Sequence, residues 1–432
     1  MRIGMVSATY DPNVVNGAVH MVTLYKKHLE ALGHEVIIFT LGEQTDTDRA
    51  NRVIRSPGIR LGGHGYYLNI SYTREAQALL TQMDIVHCHH LLMSVELAHR
   101  YVNCPIVYTN HTRYDLYTGT YTSLPQPAAD AIMRQIWPEY TDLADVVIAP
   151  SEGVRRIMQE FGVRARIVVI ENGIEREPFL NPSRPRTKAD YGLPESARLL
   201  LYVGRISAEK QVDALLRQFV AAQHLIPELH LAILGKGSQE AELRQLTEEL
   251  HLSAAVHFCG VVAYDEMPNW LAAADAFVTA STSEVHPLTV IEAMAAGKPV
   301  VAIHSPGISD SVESGITGYL AENADGLDAA IVALMNDPAR TQAMGDNARR
   351  ATERFDIHRT VAQTVELYEE LLATRPDRQR MKEHGHWTRR TEKWGALLEQ
   401  LAELVRPADD AEPTVRRWLS LVAQVTGRQN DE

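Results

Sequence analysis

Short runs of apolar, β-branched residues alternate with helically spaced segments along most of the chain. Residues 3–8 form one such run, residues 18–32 carry apolar positions at helical spacing and stop at Gly33, and residues 35–40 form a second run. Further runs stand at 84–87, 105–109, 145–149 and 166–170, most of them separated by helical segments. A strand that is apolar on both faces must be covered on both, so this order predicts a parallel sheet with helices on either side. After Glu171, Asn172 and Gly173 the chain turns rich in proline and charge, which reads as a linker. The alternation then restarts, with runs at 199–203, 229–234, 255–259, 275–280 and 300–303. Two consecutive doubly wound α/β domains are expected, residues 1–180 and 181–356, with a closing helix over 357–374. Residues 375–432 form a tail. Its basic opening precedes Trp394, Leu397, Leu398, Leu401, Leu404 and Val405, whose spacing makes one helical stripe.

Composition narrows the class. Of 432 residues, 45% are apolar and 22% charged, which provides a full core and excludes a disordered chain. No apolar stretch approaches the length of a spanning helix, and the first residues lack a signal-peptide layout. Three scattered cysteines, Cys88, Cys104 and Cys259, suit a reducing compartment, so a cytoplasmic protein is expected. The net charge is −13, of which residues 181–374 carry −11. No domain has the basic excess that a phosphate backbone demands, so nucleic acid is not an expected partner.

In doubly wound sheets, ligands bind where strands end and loops lead into helix N-termini. The first such loop reaches Asn16 and Gly17 at a helix start, where a residue without Cβ lets its N–H approach a phosphate closely. The G-x-G-x-x-G dinucleotide fingerprint is absent, which argues against a dehydrogenase. The run at 199–203 leads into GRISAEK, placing Arg205 and Lys210 in one loop, two cations suited to a diphosphate that gains charge as it leaves. Farther on, STSEVHPLTVIEAM places Pro287 at the first position of a helix. The N–H groups of Leu288, Thr289 and Val290 would then face an anion, flanked by Glu284 before the helix and Glu292 within it.

The spacing Glu284-x7-Glu292, with GRISAEK upstream, resembles the retaining glycosyltransferases of family four. Supporting matches are ENGIE at 171–175, LGKGS at 234–238, DIVHCHH at 84–90 and SGITGYL at 314–320. The resemblance covers about residues 1–373. It implies the GT-B fold, two Rossmann-like domains facing a cleft, with the closing helix crossing back to the first. It implies that Arg205 and Lys210 hold the donor diphosphate, that Glu292 holds the ribose and that Glu284 contacts the transferred sugar. Gly17 would give a backbone N–H to the diphosphate, and His111 would lie near the 6-position of the sugar. The segment HTRYDLYTGTY, with Tyr114, Asp115 and Tyr117 as acceptor-side candidates, looks like the branch that glucosylates diacylglycerol. The implied reaction moves a hexose, with UDP-glucose as donor, to a lipid hydroxyl at the membrane surface, with no metal or other cofactor. A soluble acceptor and a non-catalytic sugar-nucleotide-binding protein are the alternatives. Two departures stand out: Asn16 replaces the first glycine of the usual pair, and Pro287 replaces a glycine that could donate to phosphate.

Two further clusters are read as decoys. Asp46-Thr47-Asp48 spells a metal-binding D-x-D but lies in a polar loop, and its removal is expected to leave activity intact. His87, Cys88, His89 and His90 cannot close one tetrahedral site, because neighbours on a strand point to opposite faces. His87 is expected to line the cleft. Loss of Arg205 or Lys210 is expected to lower turnover with little effect on thermal stability. The tail could meet an anionic membrane through its basic residues, or fold back onto the core.

Overall fold

The computed structural model describes residues 1–11, 16–61, 66–68, 71–116 and 125–374. The readings of Tyr117 and of the tail over 375–432 lie outside the described residues.

Two parallel sheets organise the chain. The first contains β1 (Arg2–Ser7), β2 (Glu35–Leu41) and β3 (Val53–Ser56). A small antiparallel pair follows, β4 (Ile59–Leu61) and β5 (Tyr66–Leu68). The sheet is completed by β6 (Ile85–Cys88), β7 (Ile106–Thr109), β8 (Val146–Ala149) and β9 (Ile167–Val169), in the order β3-β2-β1-β6-β7-β8-β9. The second sheet comprises β10 (Arg198–Val203), β11 (Leu229–Leu234), β12 (Val256–Gly260), β13 (Ala276–Thr279), β14 (Val300–Ile303) and β15 (Gly318–Ala321). Its order is β12-β11-β10-β13-β14-β15. Strand order reverses between β1 and β6 in the first sheet and between β10 and β13 in the second. At such a reversal the helices leave to opposite faces and open a crevice beyond the strand ends.

The central strands are buried along both faces. Ile3, Met5 and Val6 of β1 and Leu199 to Leu201 of β10 have no exposed surface. Each face packs against helices, giving two apolar layers per sheet. Apolar patterning misses the small β4–β5 pair and, in the two parallel sheets, β3 and β15, both at sheet edges. There one side of the ladder is open, and the residues RVIRS and TGYL need no continuous apolar run.

The chain crosses between the sheets twice, at one place. Ile174 pairs with Asp356, its N–H donating to the Phe355 carbonyl (2.9 Å) and its carbonyl accepting from the Ile357 N–H (3.0 Å). A Cβ on Gly173 would stand 2.6 Å from Thr360 Oγ1 and 2.7 Å from Ile357 Cα, which explains the glycine of ENGIE. The helix Ile357–Thr374 then lies against the helix Gly17–Ala31 of the first sheet. Tyr368, fully buried, carries its hydroxyl to His87 Nδ1 (2.6 Å).

Two expectations are corrected here. His87 does not line the cleft: it has no exposed surface, and its second nitrogen is bonded to Thr109 Oγ1 (2.6 Å). Asp48 is not a dispensable loop residue. It is buried, takes two hydrogen bonds from Thr45 and pairs with Arg55 at 2.8 Å, with side-chain exposures of 10% and 8%. Breaking a pair this buried strands one charge, so Asp48→Ala costs stability.

Candidate active site

The loop after β10 and the loop after β13 meet at the second reversal point. Lys210 Nζ lies 2.6 Å from Glu284 Oε1, and Ser281 Oγ donates to the same oxygen at 2.8 Å. Burial pulls the Glu284 carboxyl up, but Lys210, Ser281 and Arg205 outweigh it and hold the group below the usual range. Arg205 is half exposed and pairs through Nη2 with Glu209 Oε1 (3.1 Å), a buried carboxylate that also accepts from Ser207 Oγ (2.7 Å). Both cations are thus positioned by carboxylates at the crevice.

The helix that follows runs Leu288–Ala295. Pro287 is its N-cap with extended backbone (φ −74°, ψ 118°), not its first helical residue as the sequence suggests. The shift leaves Leu288, Thr289 and Val290 as the first three helical positions, and no side chain caps them. Opposite stands the start of the helix Gly17–Ala31. Asn16 caps it, its Oδ1 accepting from Ala18 N (2.9 Å) and Val19 N (3.4 Å). That cap explains an asparagine in place of glycine: it satisfies the second and third donors and leaves the first, on Gly17. A Cβ built on Gly17 would lie 4.0 Å from Leu288 Cδ1, so the two helix starts face each other across the crevice.

Glu292 is buried (3% exposed), and burial pushes its carboxyl up to about 7 even though the Tyr264 hydroxyl donates to Oε1 at 2.9 Å. The Tyr264 ring meets His20 of the facing domain, centroids 4.1 Å apart. Nothing in the sequence links Tyr264 to Glu292; the contact exists because the turn after β12 folds over the helix.

On the first domain, β6 and β7 end side by side and place His89 and His111 in contact, Nδ1 to Nε2 at 3.0 Å. His111 is half-buried, and burial lowers its pKa to about 3. The acceptor-side candidates are differently placed. Tyr114, partly buried, accepts the Leu91 N–H (3.1 Å) and packs on Trp137 at the edge of the core. Asp115 is buried and takes a two-pronged bond from Arg113 (2.7 Å from Nη2).

The domains are also joined beside the site. His286, buried, receives the Asn172 N–H on Nδ1 (3.2 Å), and Asn172 Nδ2 donates to the His286 carbonyl (3.0 Å).

Comparison with known proteins fits this geometry. Residues 15–177 match the model of Glycosyltransferase Family 4, and residues 183–351 that of Glycosyl transferases group 1. A D-inositol 3-phosphate glycosyltransferase 2 of Catenulispora acidiphila is 31% identical over 305 residues, 66% of this chain and 70% of the relative. The chain is a family-four glycosyltransferase. The alpha-monoglucosyldiacylglycerol synthase of Streptococcus pneumoniae is 29% identical over 351 residues, 77% of this chain and 78% of the relative. The structure of Anabaena HepE in complex with UDP-glucose superposes with a TM-score of 0.67 at 21% identity, covering 85% of this chain and 100% of HepE. The fold is GT-B, and the enzyme is a hexosyltransferase.

The buried histidines of this glycosyltransferase make it acid-sensitive in a defined way. Burial lowers the pKa to about 3 for His87 and His286 and to about 4 for His90. Each stays neutral in the folded chain but gains a proton on unfolding below about pH 6.5. The unfolded state then binds more protons, so stability falls as pH falls, by about 1.4 kcal/mol per pH unit for each group. Glu96 and Glu292, both raised to about 7 by burial, act oppositely between pH 7 and 4.5, because the folded state protonates first. His20, His89 and His111 are depressed by burial too, so urea unfolding should show stability lost from pH 6.5 downward, steepening just below pH 4.5 where the two carboxyls no longer oppose it. A stability that rises on acidification below pH 4.5 would contradict the neutral histidines.

Proposed function

We propose that the enzyme transfers glucose from UDP-glucose to the hydroxyl of diacylglycerol with retention of configuration, without a metal, at a membrane surface. The observation that carries the reading is the pairing of Lys210 and Glu284 beside an uncapped helix start that faces Gly17. Arg205, Lys210 and the N–H groups of Leu288, Thr289 and Val290 take the diphosphate. Glu292 takes the ribose hydroxyls through the carboxylate whose Oε1 also accepts from the Tyr264 hydroxyl. Glu284 and His111 face the sugar. The bond from the sugar's anomeric carbon to phosphate breaks and the acceptor oxygen attacks on the same face. The acceptor's proton passes to the departing phosphate oxygen. The two cations and the helix start stabilise the growing phosphate charge, the role a metal would otherwise fill.

The diacylglycerol acceptor is supported by the Streptococcus relative, whose name states that product class. Tyr114 and Asp115 do not add to it, since their polar atoms are engaged within the first domain. Among the described residues, no helix is long and apolar enough to cross a membrane.

Radiolabelled UDP-glucose, offered with diacylglycerol vesicles or with an inositol phosphate, tests the reading. Label should enter the organic phase with diacylglycerol and persist in excess EDTA. Label confined to a water-soluble product would overturn the lipid acceptor. Activity abolished by EDTA and restored by Mn²⁺ would overturn the metal-free chemistry.

A further inference from the structure

Three imidazoles stand in a row from the core of the first domain to its crevice. The His87 and His89 ring centroids are 4.2 Å apart, and those of His89 and His111 are 5.3 Å apart with planes at 15°. The inner ring, His87, has both nitrogens engaged, by the Tyr368 hydroxyl and Thr109 Oγ1. The outer ring, His111, is half-buried at the crevice. Between them His89 is 1% exposed and is anchored by its backbone, whose N–H donates to the Val6 carbonyl (2.8 Å). Its Nδ1 meets His111 Nε2 at 3.0 Å. Among the described residues, its Nε2 has no hydrogen-bond partner.

Two imidazole nitrogens 3.0 Å apart share a single proton. Were His111 the donor, the proton of neutral His89 would sit on Nε2, a buried N–H without an acceptor. Orphaned buried N–H groups are rarer than orphaned acceptors. With His89 as donor, Nε2 keeps only a lone pair, the less costly group to leave without a partner. A doubly protonated His89 is disfavoured: burial is the main cause, and the facing ionisable groups are His87, His90 and His111, with the Tyr25 ring alongside at 6.0 Å. None of these supplies a negative charge.

We infer that His89 is a positioning residue: its Nδ1–H holds His111 in the Nδ1-protonated neutral form and turns that N–H donor away from the sheet, toward the crevice. The inference rests on the reading of His111 as a group that faces the transferred sugar. A neutral imidazole with a fixed tautomer is a directional donor to a sugar hydroxyl, whereas a free ring exchanges between a donor and an acceptor at that position. Fixing the tautomer from behind is how second partners tune histidines at metal and acyl-transfer sites. The sequence alone treats His89 as one of four adjacent decoy ligands. Only the parallel pairing of β6 and β7 sets it beside a residue 22 positions away.

The test uses the full-length enzyme and three variants. His89→Leu fills similar space without the donor, while His89→Asn restores a donor near the Nδ1 position. Turnover of His89→Leu should fall about 10- to 100-fold, the range seen for loss of an outer partner, with the donor KM unchanged. His89→Asn should recover most of it. Because His89→Leu also removes an unpartnered buried nitrogen, its melting temperature should hold or rise. A merely structural histidine would give the reverse, a lower melting temperature with unaltered turnover per folded molecule, and that result would overturn the inference. Nitrogen-15 spectra of the imidazoles supply an independent readout. Wild type and His89→Asn should show His111 protonated at Nδ1, and His89→Leu a mixture of tautomers. Protonation at Nε2 in the wild type would also overturn it. If the spectra follow expectation but His111→Ala keeps full turnover, the site reading fails while the tautomer control stands.

Discussion

Replacing Lys210 by alanine is expected to lower kcat by roughly 10²–10³-fold, the loss seen when one preorganised donor to a developing anion is removed. The structure reverses the sequence-based expectation for stability: the melting temperature should fall as well. Lys210 Nζ is 2.6 Å from Glu284, whose side chain is only 20% exposed, so the substitution strands a largely desolvated carboxylate. Removing one member of such a pair costs more than removing both. Lys210→Met combined with Glu284→Gln should therefore recover melting temperature relative to Lys210→Ala while remaining inactive. Arg205→Ala behaves in kind, because it takes the guanidinium from Glu209, whose side chain is 4% exposed. The structure therefore predicts a stability loss where the sequence predicts none, because each cation is paired with a protein carboxylate. Wild-type kcat in Lys210→Ala, measured at saturating UDP-glucose, would remove the diphosphate assignment. An unchanged melting temperature would remove the stranded-charge argument.

Gly235→Ala is expected to disable the enzyme from a residue that bears no functional group. Gly235 has φ +144°, which L-residues seldom adopt, and a Cβ there would stand 1.8 Å from the Gly204 carbonyl oxygen. Two residues on, a Cβ at Gly237 would stand 1.9 Å from the Ile206 carbonyl oxygen. The loops are laced together, Gly204 N donating to Leu234 O and Ile206 N to Lys236 O, both at 3.0 Å. Arg205 rides between those two bonds. Both loops are backbone at the contact, so neither can yield without moving Arg205. Strain and overpacking together cost on the order of 3 kcal/mol. A displacement of about 1 Å at the site is worth about 100-fold in rate. Gly192→Ala is the control: its φ is +72°, but a Cβ meets nothing within 4 Å. It should lose only about 1–2 kcal/mol and keep full turnover. Equal turnover in the two variants, measured per folded molecule, would show that the glycines of LGKGS act through backbone freedom alone.

The sequence by itself determined the two parallel sheets, because buried parallel strands must be apolar on both faces and so announce themselves as continuous runs. It also brought forward the loops that meet at the second crevice, since Arg205, Lys210, Glu284 and Glu292 stand near strand ends and helix starts within short, readable segments. Edge strands β3 and β15 escaped, because an edge is half solvated and relaxes the apolar requirement. What only the tertiary structure decided are contacts between segments far apart in the chain. Lys210 with Glu284, Tyr264 with Glu292, and His89 with His111 are set by the parallel register of strands and the packing of turns over helices. No local periodicity encodes them. The same holds for His87, which alternation on β6 put on one face of the strand but which the closing helix, returning from residue 357, seals beneath Tyr368. Burial decided the protonation states as well: a histidine or glutamate reads identically in sequence whether water reaches it or not.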